Sequence, residues 1–123
     1  MKLTSAAFDQ NQPIPAQYTC DGVNHNPPLT FSEVPEGAQS LVLVVEDPDA
    51  PAKVFTHWLV YNIPPSTRHI REHEAPPQST EGRSDFGTRG YGGPCPPSGT
   101  HRYVFQLFRN KSIFGFPYFS TRL

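Results

Sequence analysis

Side chains able to do chemistry gather in three stretches of this chain. Asp47-Pro48-Asp49-Ala50-Pro51 sets two carboxylates on a backbone stiffened by two prolines. His57 follows, and His101-Arg102-Tyr103 brings a second imidazole and a phenol. Carboxylate, imidazole and phenol could together act as general acid and base, so a hydrolase is one reading. It lacks an evident activated nucleophile: no pattern ties Ser98 to a base, and Cys95 stands between prolines as a structural thiol. A zinc-type site is a second reading, with His57 and His101 joined by Asp47 or Asp49, although metal ligands usually show tighter local spacing. A pocket for a small polar group, walled by the Asp-Pro turn, is the third. Taken alone, that pentapeptide is an ordinary solvated turn.

The other polar candidates each carry a functional and a quiet explanation. Asp21, in the Thr19-Cys20-Asp21-Gly22 turn, either orients a pocket histidine from behind or only organises its own turn. Arg102 alternates away from Tyr103 and reads as a salt-bridge or loop-bracing residue. His25, His69 and His73 lie in polar loop sequence and read as solvated. Cys20 and Cys95 carry no redox motif and are too far apart for a C-x-x-C cluster. The expectation for them is two reduced thiols in loops, since cytosolic proteins rarely keep disulfides.

The elements that must position these groups are short strands. Ser40–Glu46 is an apolar run rich in β-branched residues and reads as a buried, central strand. Thr56–Ile63 alternates His57, Leu59 and Tyr61 on one face with Trp58, Val60 and Asn62 on the other, and Pro64-Pro65 ends it. Arg102–Phe108 puts Tyr103, Phe105 and Leu107 on one side, with His101 just ahead. Leu3–Phe8 and Leu29–Phe31 are weaker candidates. Trp58 and Phe105 read as core. Between the strands lie Gln10–Pro28, Asp47–Lys53 and a long stretch from Pro64 to Thr100. The end of that stretch, Gly90-Tyr91-Gly92-Gly93-Pro94-Cys95-Pro96-Pro97-Ser98-Gly99, would let backbone approach a ligand while prolines keep it stiff.

Composition narrows the rest. The 123 residues suit one domain with one modest core. A net charge of -1 offers no general attraction to nucleic acid or anionic membranes. Fifteen prolines and nine glycines exclude long helices. No apolar run approaches the roughly 20 residues of a membrane-spanning helix, and the N-terminus lacks the apolar run of an export signal. The expectation is a cytoplasmic protein without a cofactor.

Several blocks in this order then carry a resemblance: Tyr18-Thr19-Cys20-Asp21-Gly22, Asp47 to Pro51, His57-Trp58, Asp85-Phe86-Gly87 with Gly90 to Pro97, and Gly99 to Tyr103. They resemble the signature blocks of the phosphatidylethanolamine-binding protein family, most closely its bacterial and archaeal, Raf-kinase-inhibitor-like branch, over Lys2 to Phe108. The resemblance implies a mainly β fold, a Greek-key β-sandwich with long Pro/Gly-rich loops and little helix. It also implies an anion pocket at one end, accepting phosphate, acetate, cacodylate or a phosphorylethanolamine head group. By position, Asp47, Asp49, Pro51, His57, Gly93, Pro94, His101 and Tyr103 would line it, with Asp21 and Arg102 behind. The family is not generally catalytic, and its eukaryotic members bind kinases, proteases or transcription factors. Small-ligand binding therefore ranks first, and inhibition of a protein partner second.

Two aspartates are a poor lining for an anion, because an ionised pair repels phosphate. The expectation is that they hold one or both imidazoles protonated, or meet the ammonium of a zwitterion. The resemblance ends at Phe108, giving a domain of residues 1–108 and an atypical tail of 109–123. The tail, with Phe114, Phe116, Tyr118 and Phe119, replaces the family's C-terminal helix and last strand. A frameshifted or truncated product is the expected cause. Apolar surface left open by a missing helix would be covered by the tail or by a homodimer.

Overall fold

A computed structural model describes residues 1–95 and 100–110, and the backbone of 117–122. Its strands are β1 (Lys2–Thr4), β2 (Leu29–Ser32), β3 (Ser40–Asp47), β4 (Phe55–Ile63), β5 (His69–Ile70), β6 (Thr80–Glu81), β7 (Val104–Asn110) and β8 (Pro117–Arg122). A 3-10 turn occupies Ala16–Tyr18. One sheet runs β1-β2-β5 and the other β6-β4-β3-β7-β8, with every pairing antiparallel.

The apolar run of β3 takes the central place in the larger sheet because neighbours cover both its edges and Leu41, Leu43 and Val45 fill its core face ahead of the buried Asp47. Leu43 lies opposite Val60 and Leu107, and Val45 opposite Trp58 and Phe105. All six are at most 1% exposed. Leu3, Leu29, Phe31 and Ile70 of the smaller sheet join the same cluster, so the two sheets form one sandwich. Each such side chain contributes about 1.5–3 kcal/mol by leaving water.

Two strand boundaries depart from the sequence reading in ways that matter for the site. Alternation places Asn62 on the core face with Trp58 and Val60, but Asn62 adopts a left-handed backbone, φ 54°, and the β3–β4 register shifts between Leu41 and Leu43. Asparagine tolerates that region, and the shift hands the core position to Ile63, which is fully buried. Strand β7 starts at Val104 rather than Arg102, so His101 to Tyr103 form its lead-in.

The stretch from Pro64 to Thr100 contains the short strands β5 and β6 and a bridge between Arg83 and Arg89. Past Phe108, β8 pairs with β7, setting Thr121 opposite Leu107 and Phe119 opposite Arg109. Ser98 and the aromatics Phe114 and Phe116 lie outside the described residues, as do the side chains of Tyr118 and Phe119.

Candidate functional site: a hollow at three strand ends

The register brings the end of β3, the start of β4 and the lead-in to β7 together: Asp47 faces Phe55, and Glu46 faces Val104. Above these ends lies a hollow of about 270 Å³, lined by Asp47, Ala50, Pro51, Phe55, His57, Phe86, Cys95, His101 and Tyr103. Five of the expected lining residues, Asp47, Pro51, His57, His101 and Tyr103, thus meet in one place.

Asp47 is buried, 4% exposed, and both its oxygens are engaged. Oδ1 accepts the backbone N–H of Asp49 at 2.8 Å, closing the turn, and Oδ2 accepts from His101 Nδ1 at 2.6 Å. A carboxylate can only accept, so His101 donates from Nδ1, and Nε2 is not used in this contact. Asp47 is therefore both the turn-former and a wall of the hollow, and its charge is directed at an imidazole rather than at the cavity.

His57, also 4% exposed, is oriented by a different device. Its Nδ1 lies 2.7 Å from the carbonyl of Gly92, and a carbonyl can only accept, so Nδ1 again bears the proton and Nε2 is left over. Burial pushes the His57 pKa below its ordinary value, with the Gly92 carbonyl and the Asp47 charge opposing that shift only in part. The expectation that the carboxylates hold the imidazoles protonated is thus corrected for His57. Desolvation outweighs the carboxylate there, because Asp47 bonds to His101 instead.

Tyr103 supplies a hydroxyl that is buried and has no hydrogen-bond partner among the described residues. Desolvation, reinforced by Asp47 and Asp49, pushes its pKa up to about 12, so it remains a neutral donor. Its ring stands edge-on to His57, with centroids 5.4 Å apart. Phe55 and Phe86 complete an aromatic wall around His57, at 5.1 and 5.3 Å.

Asp49 does not line the hollow. Its carboxylate turns outward and grips Arg102: Oδ1 accepts Nη2 at 2.8 Å, and Oδ2 accepts Nε at 3.0 Å and the Arg102 backbone N–H at 2.8 Å. That forked contact, the side chain first and the amide second, holds the carboxyl pKa down to about 2. The pair clips the β3–β4 turn to the lead-in of β7 and so sets the spacing of Asp47 and His101. Arg102 is the bracing residue expected of it.

Gly93 and Pro94 stand behind the lining rather than in it. A Cβ on Gly93 would run into the Tyr18 carbonyl oxygen, and its N–H donates to Asn24 Oδ1 at 2.8 Å. The Pro94 carbonyl accepts from Cys20 N–H at 3.2 Å, and the proline ring lines a wider neighbouring groove. Asp21 opens onto that groove too. It does not orient a histidine, because His57 and His101 take their Nδ1 partners from Gly92 and Asp47.

Cys20 and Cys95 are joined in a disulfide, with Cα atoms 5.4 Å apart, which corrects the expectation of reduced thiols. The physical reason is convergence: the Gly/Pro loop and the 16–25 segment pack against each other. The sequence held a signal in that both cysteines sit inside blocks of the same resemblance. Phe86 was also missed as a lining residue. It is carried by a turn fixed to β4 where Asp85 Oδ2 accepts the Thr56 N–H at 2.7 Å. Among the described residues, no cluster of three or more His, Cys, Asp or Glu is arranged to hold a metal ion, and no helix is long and apolar enough to cross a membrane.

A two-sheet sandwich that gathers two imidazoles, a phenol and a buried carboxylate in a small hollow at one end defines a ligand-binding β domain. The chain belongs to the phosphatidylethanolamine-binding protein family, whose match spans residues 4–120. It is 50% identical over 113 residues to a UPF0098 protein of Methanothermobacter thermautotrophicus, covering 88% of this chain and 75% of that one. The solved structure of a phosphatidylethanolamine-binding protein homolog from Chlamydia trachomatis is similar, with TM-score 0.85 and 43% identity over 89% of this chain and 74% of the other. E. coli YbcL, described as a new member of the mammalian PEBP family, aligns with TM-score 0.85 and 34% identity over 91% of this chain and 77% of its own.

Proposed function

We propose that the hollow binds the phosphoryl oxygens of a small phosphorylated or zwitterionic molecule and acts as a binding site without turning the ligand over. The observation carrying this reading is the buried Tyr103 hydroxyl without a partner among the described residues, in a cavity where both imidazoles use Nδ1 elsewhere. A buried donor left unsatisfied costs about 1–3 kcal/mol, which an oxyanion would recover. The kinship with a phosphatidylethanolamine-binding protein homolog supports the same class of ligand.

A neutral His57 offers Nε2 as an acceptor, which a fully ionised phosphate would meet lone pair to lone pair. Binding therefore brings a proton: either His57 takes one up, or the guest enters as its monoanion and donates to Nε2. The sign follows. On either route the complex holds one proton more than neutral His57 and the fully ionised guest apart, so affinity rises as pH falls through the range where both are in those forms.

The binding-only reading draws on two lining groups. Cys95 is tied in a disulfide and presents no thiolate, and Tyr103 is held in its phenol form. Calorimetric titration with phosphate and phosphoethanolamine, in two buffers of different ionisation enthalpy, tests the proposal. Net proton uptake and tighter binding at lower pH are expected. Affinity constant between pH 5 and about 8 would remove the His57 step, and no binding of either compound would remove the function.

A further inference from the structure

The Cys20–Cys95 bridge stands between the two halves of the hollow. Ahead of Cys95 in the chain, Gly92 orients His57 from both sides of its peptide: the Gly92 N–H donates to the His57 carbonyl at 3.1 Å, and the Gly92 carbonyl accepts from His57 Nδ1 at 2.7 Å. Beyond it, the chain returns to His101 and Tyr103. Cys95 itself lines the cavity. The bridge therefore anchors the 91–95 stretch that orients His57 and lines the cavity.

Three weaker bonds run parallel to the bridge. Tyr91 Oη donates to the Tyr18 carbonyl at 2.7 Å, Gly93 N–H to Asn24 Oδ1 at 2.8 Å, and Cys20 N–H to the Pro94 carbonyl at 3.2 Å. Their partners lie in the 16–25 segment, which has only a single short 3-10 turn of regular structure. Both cysteines are exposed, so an external thiol can reach the bridge without unfolding the protein. Exposed disulfides are the ones most open to thiol exchange, whereas buried structural ones resist it.

We infer that Cys20–Cys95 is a site of reversible thiol–disulfide exchange with a dithiol reductant, and that its state sets the competence of the hollow. One thiolate of the reductant attacks a bridge sulfur and expels the other cysteine as a thiolate, leaving a mixed disulfide. The second reductant thiolate closes on its own partner sulfur and releases the first cysteine. Two electrons and two protons pass to the protein, and the reductant leaves as a cyclic disulfide. With the bridge open, residues 91–94 keep those three hydrogen bonds and the packing of Tyr91 on Trp58 but lose their covalent tie to the 16–25 segment, and the Gly92 contact that fixes His57 loosens.

The ligand side of this inference rests on the binding function proposed above, so the experiment reads the protein first and the ligand second. Amide and imidazole resonances of the full chain are compared in the oxidised form, after dithiothreitol, and after reoxidation. Reversible shifts are expected at Cys20, Gly92, Gly93 and the His57 ring, with the β3 and β7 amides unchanged. Titration with inorganic phosphate should then show a loss of about tenfold or more in affinity on reduction, the value of one charge-assisted hydrogen bond. A Cys20→Ser variant should show the reduced pattern whatever the reductant. Unchanged loop resonances would overturn the inference, and so would loss of the β3 and β7 signals, since that makes the bridge a global staple. If the oxidised protein binds no phosphate while the loop shifts appear, the exchange site stands and the proposed ligand falls.

Discussion

Replacing Tyr103 with phenylalanine should move stability and ligand affinity in opposite directions. The hydroxyl is buried, lacks a partner among the described residues, and lies near the Asp47 carboxylate, whose two oxygens each accept a hydrogen bond from another group. In the unliganded protein it contributes a desolvation cost of about 1–3 kcal/mol with no compensating bond. Tyr103→Phe removes that cost and leaves the ring against His57, so the variant should be more stable by about 1 kcal/mol, the low end of that range. For a chain of this size that is a rise of roughly 3–5 °C in Tm. Phosphate should bind about 10- to 100-fold more weakly, because a hydrogen bond to a charged oxygen contributes about 1.5–3 kcal/mol. Thermal unfolding by circular dichroism and calorimetric titration read the two effects on one sample. A destabilised variant would show that the hydroxyl is satisfied in the resting protein. Unchanged affinity would show that it faces no guest, and either result refutes the reasoning.

Three further outcomes follow from the packing and charge of the site. Gly93→Ala forces a methyl group against backbone of the 16–25 segment, which cannot rotate away, and should cost about 1–3 kcal/mol in denaturant unfolding while weakening phosphate binding. Trp58→Ala, at a fully buried residue packed edge-on against Tyr91, should cost about 3–5 kcal/mol, and a smaller loss would mean the sheet collapses around the gap. The Asp49–Arg102 clip is an acid-sensitive element. The Asp49 pKa lies at about 2 against 3.8 unperturbed, so its contribution is complete above the unperturbed value and is lost as pH falls toward the lower one. Wild type and Asp49→Asn should therefore differ in stability near neutral pH and converge at about the pH where the folded-state carboxyl titrates.

Much of the frame was legible because it rests on local pattern. The run Leu41 to Val45 read as a covered strand, and alternation in Thr56–Ile63 put Trp58 and Val60 together on one face, which the structure buries. It failed at Asn62, where a single left-handed residue shifts the register, a permissive position that composition does not announce. Of the site, Asp47, Pro51, His57, His101 and Tyr103 were legible as types at strand ends. Asp49 was misplaced because spacing alone does not say which of two carboxylates a turn points inward. The turn itself decides: Asp47 Oδ1 captures the Asp49 amide, and Asp49 swings out to Arg102. The Cys20–Cys95 pairing depends on which loops meet across 75 residues, which local pattern does not encode; the place of both cysteines in blocks of one resemblance was the single pointer to it.

The pairing of β7 with β3 also bears on when the site comes into being. Asp47 waits for His101, 54 positions further along, and Ser40 for Asn110, 70 positions further along. A nascent chain emerging from the ribosome can complete the β3–β4 hairpin early, yet it has only half a receptor until the seventh strand arrives. Contacts so distant in sequence slow folding. In the interval the β3 edge later occupied by β7 is open to other chains. Expression yield should thus depend more on how fast β7 is delivered and docked than on the strength of the hairpin that precedes it.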